Sequence, residues 1–208
     1  MTNKQPARTA RVGLAQESVV EAALVILNEK GRDAVSMRAI ADRLGVRMNT
    51  VLWHAKTKNR LLELMADAIL GATDTSDLPD PWDERVRELM RRARRSMLAY
   101  RDGAAVVAGT YTPEPGTLHF ADTLVAALLE GGLEPKRASW TCWTIVYFVL
   151  GLVQEEQGYP LADTERMADR LVSGAYPALI RAGFDMSDDS FDDRLEFGLD
   201  LILASLRR

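Results

Sequence analysis

The stretch MRAIADRLGVRMNTVLWHAKTKNRLLELMADAIL, Met37–Leu70, decides the fold because two short helical patterns flank one glycine in it. In the first pattern, over 37–44, apolar residues recur at positions i, i+3, i+4 and i+7, and Ser36 precedes it as an N-cap. Gly45 ends this helix as a left-handed C-cap residue does. A second short helix over 47–53 and a longer one over 57–70 follow. Two short helices joined through a glycine turn indicate a helix-turn-helix arrangement.

The rest of the chain continues the helical pattern. A first helix over 16–30 stops at Gly31, and the acidic, proline-containing segment 71–84 separates the N-terminal helices from the remainder. Further helices are predicted over 82–100, 102–109, 117–131, 135–157, 163–181 and 189–206. No segment alternates with a period of two, so we predict an all-α fold. It consists of an N-terminal three-helix helix-turn-helix domain and a larger C-terminal helical domain.

Charge is distributed unevenly along the 208 residues. Residues 1–60 carry 11 Lys and Arg against 5 Asp and Glu, whereas the remainder is acidic enough to bring the net charge to -4. The basic end is where an anionic polymer would bind. The single cysteine, Cys142, and the lack of a secretory or membrane-spanning apolar run predict a cytoplasmic protein with no membrane partner.

The second short helix has an outward face of mixed chemistry. Packing between the two helices requires Ile40, Ala41, Leu44, Val46 and Val51, which leaves Arg47, Met48, Asn49, Thr50, Leu52, Trp53 and His54 facing outward. Asparagine can bind an adenine edge, and threonine a phosphate or a thymine methyl group. Lys56, Lys58 and Arg60 suit phosphate contacts. A helical hairpin with a solvated basic face is the alternative, although an exposed apolar pair such as Leu52 and Trp53 usually has a partner.

Two helices carry more apolar surface than one chain can cover. The helix over 135–157 is apolar nearly all round, and the helix over 189–206 has two apolar stripes. Burial against a second copy, most simply in a two-fold homodimer, would cover both.

Catalytic chemistry finds no support in the sequence. The chain has two histidines and one cysteine, and it contains no G-x-S-x-G, Walker-type or G-x-G-x-x-G motif. We therefore predict no enzyme activity, no catalytic residue and no cofactor.

The stretch MRAIADRLGVRMNTVLWHAKTKNRLL resembles the DNA-binding module of the TetR family of repressors, and LWHAKTK points to its tetracycline-repressor branch. The segments YRDGAAVVAGT, Tyr100–Thr110, and FVLGLVQEEQ, Phe148–Gln157, resemble those that line that branch's inducer pocket. The resemblance implies a ligand-responsive homodimeric repressor that binds a palindromic operator in double-stranded DNA. It also implies a DNA-binding domain over 1–58 and an effector-binding and dimerisation domain over 59–208.

Residue by residue, the resemblance places part of the outward face at DNA-contacting positions. These positions hold Arg38, Met48, Asn49, Thr50, Leu52, Trp53, His54 and Lys58. Together with Arg47, which belongs to the outward face, they form the predicted set of DNA-binding residues. Met48, Asn49 and Leu52 differ from the branch pattern, so a different operator sequence is expected.

The effector positions depart further from the branch. Val107, Asp74, Leu89 and Leu124 stand where tetracycline is held, and only Glu155 keeps its expected identity. Because a magnesium site needs oxygen or nitrogen ligands, which valine lacks, we expect neither a metal nor a magnesium–tetracycline effector. What remains is an apolar pocket suited to a lipophilic or aromatic molecule, bounded by Leu89, Ala93, Val107, Thr110, Tyr111, Leu124, Cys142, Trp143 and Val146.

Effector binding is expected to reposition the fourth helix and to separate the two recognition helices beyond one DNA repeat of about 34 Å. A constitutive DNA-binding dimer without a small-molecule effector is the alternative.

Overall fold

The computed structural model describes residues 15–158, 169–171, 175–182 and 190–206. Throughout these ranges no strand occurs, which confirms the all-α prediction. The helices are α1 (Gln16–Lys30), α2 (Met37–Leu44), α3 (Met48–Ala55), α4 (Lys58–Gly71), α5 (Trp82–Leu98), α6 (Gly103–Val107), α7 (Pro115–Glu130), α8 (Pro135–Gly158), α9 (Pro177–Arg181) and α10 (Phe191–Ala204). A short 3-10 turn, Arg32–Ala34, follows α1.

The predicted glycine turn joins α2 to α3. Ser36 caps α2 by accepting a hydrogen bond from the backbone N–H of Ala39 at 3.2 Å. Gly45 adopts the left-handed conformation at φ 62° and ψ 31°, and the next N–H, of Val46, donates to the Ala41 carbonyl at 3.0 Å. This chain reversal lets α2 and α3 pack together, so the predicted helix-turn-helix is present.

Several predicted helix boundaries differ from the structure, and three of the differences have a local cause. Helix α7 begins at Pro115 rather than at residue 117, because proline is favourable at the first helical position. Helix α6 is shorter than predicted, since Ala108 is extended and Gly109 has a positive φ of 78°. Of the helix predicted over 163–181, residues 163–168 and 172–174 lie outside the described residues. At 175–176 the chain is not helical and α9 starts at Pro177, as expected where proline disfavours helix in the preceding residue.

Helix α4 joins the N-terminal helices to the larger part of the structure. It packs against α1 and α3 on one side and against α6 and α7 on the other. Leu61, Met65 and Ile69 are fully buried along its length. At its C-terminal end α4 crosses α7 closely, because a Cβ added at Gly116 would lie 2.9 Å from the Cα of Gly71. Larger residues at this crossing would push the two helices apart.

Arginines of α5 hold α10 in place. Arg91 pairs with Glu196 at 2.6 Å, and Arg87 pairs with Asp200 at 2.5 Å. On its inner face α10 buries Leu195, Leu199 and Leu203. Single partly exposed ion pairs contribute little stability, so burial of apolar side chains supplies most of the free energy that keeps α10 in place. The ion pairs fix the register of α10 against α5.

The turn between α5 and α6 is bonded to the N-terminal helices. The backbone N–H of Arg101 donates to the side-chain oxygen of Asn28, on α1, at 2.8 Å. In the opposite direction, the backbone N–H of Arg32 donates to the carboxylate of Asp102 at 2.9 Å. Two reciprocal side-chain-to-backbone bonds therefore connect the helix-turn-helix region to the larger part of the chain.

Gln157, near the end of α8, fixes the same turn from its other side. Its amide oxygen accepts a hydrogen bond from the N–H of Ala104 at 3.0 Å, and its amide nitrogen donates to the carbonyl of Tyr100 at 2.7 Å. Gly103 lies between these contacts, and a Cβ there would come within 2.2 Å of the Met97 carbonyl oxygen. The turn has no room for a side chain at this position.

We expect Gly103→Ala to lower the free energy of unfolding by about 1–3 kcal/mol, as overpacking does in well-packed sites. Urea denaturation followed by circular dichroism would measure the change. Gly151→Ala is the matched control, because a Cβ at that position in α8 meets no atom within 4 Å. That control should be neutral or stabilising by about 0.5–1 kcal/mol. Equal stability losses in both variants would contradict the tight packing inferred for the α5–α6 turn.

Candidate DNA interface and ligand cavity

Helix α3 presents one buried and one exposed face. Val51 and Ala55 are buried against the other N-terminal helices, while Trp53 is 82% exposed and Met48 is 48% exposed. Of the other predicted contact residues on and beside this helix, Arg47 and Asn49 are exposed, and Thr50, Leu52 and His54 are partly buried. The exposed face of α3 therefore combines large apolar side chains with polar and basic ones.

Basic side chains surround this face. Within the described residues no carboxylate pairs with Arg38, Arg47, Lys56 or Lys58, and all four are exposed. Arg60 differs, because its guanidinium is bonded to Glu63 at 3.0 Å and to Glu114 at 2.8 Å. The phosphate contact expected of Arg60 is therefore replaced by a structural role that ties α4 to the start of α7.

The end of α3 directs the start of α4 toward the same surface. Lys56 adopts a positive φ of 48°, which turns the chain sharply. Thr57 then caps α4 by accepting a hydrogen bond from the N–H of Arg60 at 3.1 Å. Lys58 is the first residue of α4, so its ammonium group lies near the positive end of the helix dipole. This arrangement suits a phosphate group.

A cavity of about 610 Å³ lies in the larger part of the structure. Its walls come from the end of α4, from the segment 107–113 after α6, and from α7 and α8. Apolar atoms form most of the lining, which includes Leu70, Val107, Thr110, Tyr111, Thr112, Thr117, Leu118, Phe120, Cys142, Trp143, Val146, Tyr147, Leu150 and Gln154. The volume is that of a site for a drug-sized molecule.

The structure brings together six of the ten residues predicted for the ligand pocket. These six line the cavity: Val107, Thr110, Tyr111, Cys142, Trp143 and Val146. Leu89, Ala93 and Leu124 are instead buried in the core and do not line it, because α5 and the middle of α7 face inward at those positions. Glu155 is exposed on α8, also outside the cavity, whereas its neighbour Gln154 lines it.

An aromatic cluster closes part of the cavity. Trp143 stacks on Tyr147 with ring centroids 5.6 Å apart and planes inclined by 27°, and it meets Tyr111 at 6.0 Å and 58°. Burial, together with the charge and hydrogen bonding of Tyr111, raises the pKa of the Tyr147 phenol. The sequence prediction missed Tyr147, although its place one turn after Trp143 puts both rings on one face of α8.

A second cavity, of about 600 Å³, lies between α1 and α4. Its lining includes the carboxylates of Glu17, Glu21, Asp67 and Glu114. Two of them already have structural partners, since Asp67 accepts from the N–H of Thr117 at 2.6 Å and Glu114 pairs with Arg60. This acidic cleft does not suit an apolar ligand, so the cavity beside Trp143 is the candidate ligand site.

The surroundings of Cys142 show how apolar that cavity is. Burial raises the pKa of its thiol from 9.0 to about 11. Among the described residues, no group of three or more His, Cys, Asp and Glu side chains could hold a metal ion. No helix in the described ranges combines the length and apolarity needed to cross a membrane.

Comparison with known proteins relates both regions to one family. Residues 19–65 match the model for bacterial regulatory proteins of the tetR family, and residues 75–208 match the tetracyclin repressor-like C-terminal domain. The tetracycline repressor protein class C of Escherichia coli is 33% identical and aligns with 94% of this chain and 91% of its own length.

Two solved structures show the same architecture with ligands bound. The Streptomyces coelicolor TetR family protein ActR in complex with actinorhodin superposes with a TM-score of 0.82 at 28% identity, covering 94% of this chain and 96% of that one. A TetR variant from Acinetobacter baumannii AYE in complex with minocycline superposes with a TM-score of 0.72 at 32% identity, covering 94% of this chain and 97% of that one. Both likenesses extend over the helix-turn-helix and the helical domain that follows it.

The apolar setting of Cys142 predicts slow alkylation. At about pH 8 a thiol whose pKa is near 11 has roughly 100-fold less thiolate than one with the ordinary value of 9.0, and the greater nucleophilicity of that thiolate offsets only about tenfold of this loss. Iodoacetamide should therefore react about tenfold more slowly, or slower still, with the native protein than with the urea-unfolded chain. Mass spectrometry at timed intervals would measure both rates. Equal rates would show that the thiol is solvated and that the cavity wall at α8 is open.

Proposed function

Because the chain belongs to the tetR family of bacterial regulatory proteins, we propose that it is a homodimeric transcriptional repressor released from DNA by a small lipophilic or aromatic effector. It would bind a palindromic operator in double-stranded DNA and act in the bacterial cytoplasm. One observation carries the proposal: a single helix, α4, begins beside the exposed face of α3 and has Leu70, in its last turn, in the wall of the cavity.

The DNA contacts divide by chemistry. Asn49 on α3 suits the edge of an adenine, and Thr50 and Met48 suit a thymine methyl group. Arg38, Arg47 and Lys58 lie exposed around that face without a carboxylate partner among the described residues, and they suit phosphates. Trp53, Leu52 and His54 complete the proposed interface, which would bury the exposed indole.

Dimerisation is supported by apolar surface on α8 and α10. Trp140 on α8 is 63% exposed, and Phe197 and Leu201 on α10 are 65% and 61% exposed. These two helices pack against each other, and we propose that their exposed apolar residues form one dimer surface. A two-fold dimer would cover the surface on both copies and set two α3 helices at half-site spacing.

Effector control would act through α4. Fourteen residues of α-helix span about 21 Å, so a displacement of α4 at the cavity reaches the DNA-facing surface without an intermediate element. Bonds from the α5–α6 turn to Asn28 and Arg32 give a second route. An effector shifts DNA affinity only if it binds the DNA-free arrangement more tightly than the DNA-bound one. With domain boundaries of 1–58 and 59–208, Lys58 belongs to the DNA-binding domain and the rest of α4 to the effector domain.

A titration tests this function directly. The purified protein is titrated by fluorescence anisotropy against labelled DNA from upstream of its own gene, with a random duplex of equal length as control. Uncharged aromatic compounds are then added to the complex. Specific binding that one compound reverses supports the proposal, specific binding that none reverses supports the constitutive DNA-binding alternative, and equal affinity for both duplexes rejects the DNA-binding assignment.

Substitutions on the proposed DNA face should separate two kinds of contact. Lys58→Ala should weaken binding to all sequences and reduce the slope of log K against log salt by about 2, because a dimer loses two phosphate contacts. Asn49→Ala should instead relax the preference at one base pair per half-site, by about 1–3 kcal/mol. Lys30→Ala, which removes a charge next to the α5–α6 turn, is the control. Identical behaviour of the Lys58 and Asn49 variants on specific and random DNA would reject this assignment.

The dimer surface has its own test. We expect Leu201→Glu to convert the dimer to a monomer, since an isologous interface would receive two unpaired charges. Size-exclusion chromatography with light scattering would measure the mass. Leu129→Glu is the control, because Leu129 is also exposed, at 42%, but lies on α7. A dimer that persists in the Leu201 variant, or is lost equally in both variants, would contradict the interface.

A further inference from the structure

An ion pair joins the first turn of α4 to the residue that follows the cavity wall. The guanidinium of Arg60 lies 2.8 Å from the carboxylate of Glu114 and 3.0 Å from that of Glu63. The side chains of Arg60 and Glu114 are 33% and 21% exposed, so solvent and salt screen this pair less than a pair on the open surface. Hydrogen bonds to Glu63 and Glu114 raise the pKa of the Arg60 guanidinium.

The Arg60 end of the pair lies next to the proposed DNA surface. Helix α4 begins at Lys58, and its cap, Thr57, accepts a hydrogen bond from the N–H of Arg60 at 3.1 Å. Only residues 56 and 57 connect α3, which ends at Ala55, to α4. Because this connection is so short, the direction of the first turn of α4 constrains where α3 and Lys58 lie.

The Glu114 end of the pair lies between the cavity and α7. The residue before it, Pro113, lines the cavity, and the residue after it, Pro115, is the first of α7. Each proline fixes its own φ and restricts the residue that precedes it. The Glu114 carbonyl also accepts a hydrogen bond from the N–H of Leu118 at 3.0 Å. The backbone of Glu114 is therefore held on both sides, and its carboxylate is a fixed anchor for Arg60.

Other contacts keep α7 against α4 further along the two helices. Asp67 accepts a hydrogen bond from the N–H of Thr117 at 2.6 Å, and Gly71 and Gly116 meet at the close crossing. These contacts do not involve the first turn of α4. Loss of the Arg60–Glu114 pair would therefore release that turn without separating α7 from the rest of α4.

Glu63 provides an internal comparison. It pairs with the same guanidinium as Glu114, but it lies three residues from Arg60 on the same helix. A pair within one helix stabilises that helix locally and does not fix its position relative to another. The two carboxylates therefore separate local helix stability from the placement of α4.

We infer that the Arg60–Glu114 ion pair holds the first turn of α4 in the arrangement that binds operator DNA. Arg60 is then a positioning residue for DNA recognition, and its anchor stands directly after the cavity wall. The inference rests on the proposed function, because it takes α3 as the helix that reads the operator. It adds a pair of residues, outside the DNA-facing surface, that sets operator affinity.

The sign of the effect of Glu114→Gln tests the inference. By electrostatics alone, removal of a negative charge near DNA strengthens binding to every duplex. We expect instead that the variant binds labelled DNA from upstream of its own gene roughly 5-fold more weakly, because a dimer loses two partly buried ion pairs. Its affinity for a random duplex should be unchanged or slightly higher. Fluorescence anisotropy on the full chain measures both affinities.

Glu63→Gln is the matched control, because it removes the same charge from the same guanidinium and leaves the link to α7 intact. We expect it to bind both duplexes as tightly as the wild type or more tightly. Circular dichroism should show that both variants keep the helical fold, since the contacts of Asp67 and the apolar core remain. The inference is overturned if Glu114→Gln binds the upstream duplex as tightly as the wild type, or if the two variants behave alike.

Variants of Arg60 test whether the two residues act as a unit. Arg60→Lys, which can still pair with Glu114, should keep most of the ratio of upstream to random affinity, and Arg60→Gln should lose roughly as much of it as Glu114→Gln. The double Gln variant should lose no more of this ratio than either single variant, because both remove the same contact. Additive losses would overturn the pairing and leave two independent effects.

The wild-type chain separates the two levels of failure. If it prefers its upstream DNA but the variants give the overturning results, the repressor function stands and α4 is positioned by other contacts. If it shows no preference over random DNA, the proposed function itself fails.

Discussion

Helix α4 has almost no free surface, and this confinement governs the rest of the structure. Its first two residues and its last are exposed, and every residue from 60 to 70 is at least partly buried. Helices α1 and α3 cover one side of it and α6 and α7 the other. Because protein interiors are close-packed, α4 cannot shift without repacking neighbours on both sides. Such a helix is suited to two discrete positions rather than to a continuous range.

Hydrogen bonding reinforces the same connection. The backbone of the α5–α6 turn is held by Asn28 on α1 and by Gln157 on α8, and Asp102 returns a bond to Arg32. The bonds of Gln157 are partly buried, and a buried backbone group left without a partner is costly, so they favour a shared movement of the turn and α8. The bonds to Asn28 and Arg32 are exposed and add a weaker connection to α1. The turn precedes α6, whose last residue, Val107, lies in the cavity wall.

Local sequence signals predicted the helix-turn-helix well because its decisive features are local. The Ser36 cap and the left-handed Gly45 depend only on residues within one helical turn. The cavity depends on which faces of distant helices meet, and here the prediction was incomplete. Leu89 and Leu124 belong to apolar stripes, as cavity residues do, but periodicity cannot distinguish a side chain at a cavity from one in a filled core.

Thr112 and Thr117 illustrate a different obstacle. Each is an ordinary loop or first-turn residue in the sequence, and only the packing of the helices buries its hydroxyl with no hydrogen-bond partner in the described part of the chain. Tyr147 could have been found, since it follows Trp143 by one helical turn. The resemblance to a repressor family indicated which segments form the pocket, while the three-dimensional arrangement decides which side chains reach it.

Helix α8 contributes to two surfaces at once. Trp143 and Tyr147 line the cavity and are also exposed, and Trp140, one turn earlier, belongs to the apolar surface shared with α10. If a second subunit covers that surface, subunit association and effector binding are thermodynamically linked. The effector concentration needed for a half-maximal response then depends on the number of protein copies in the cell. Expression level alone would set the sensitivity of the switch, with no change in the binding site.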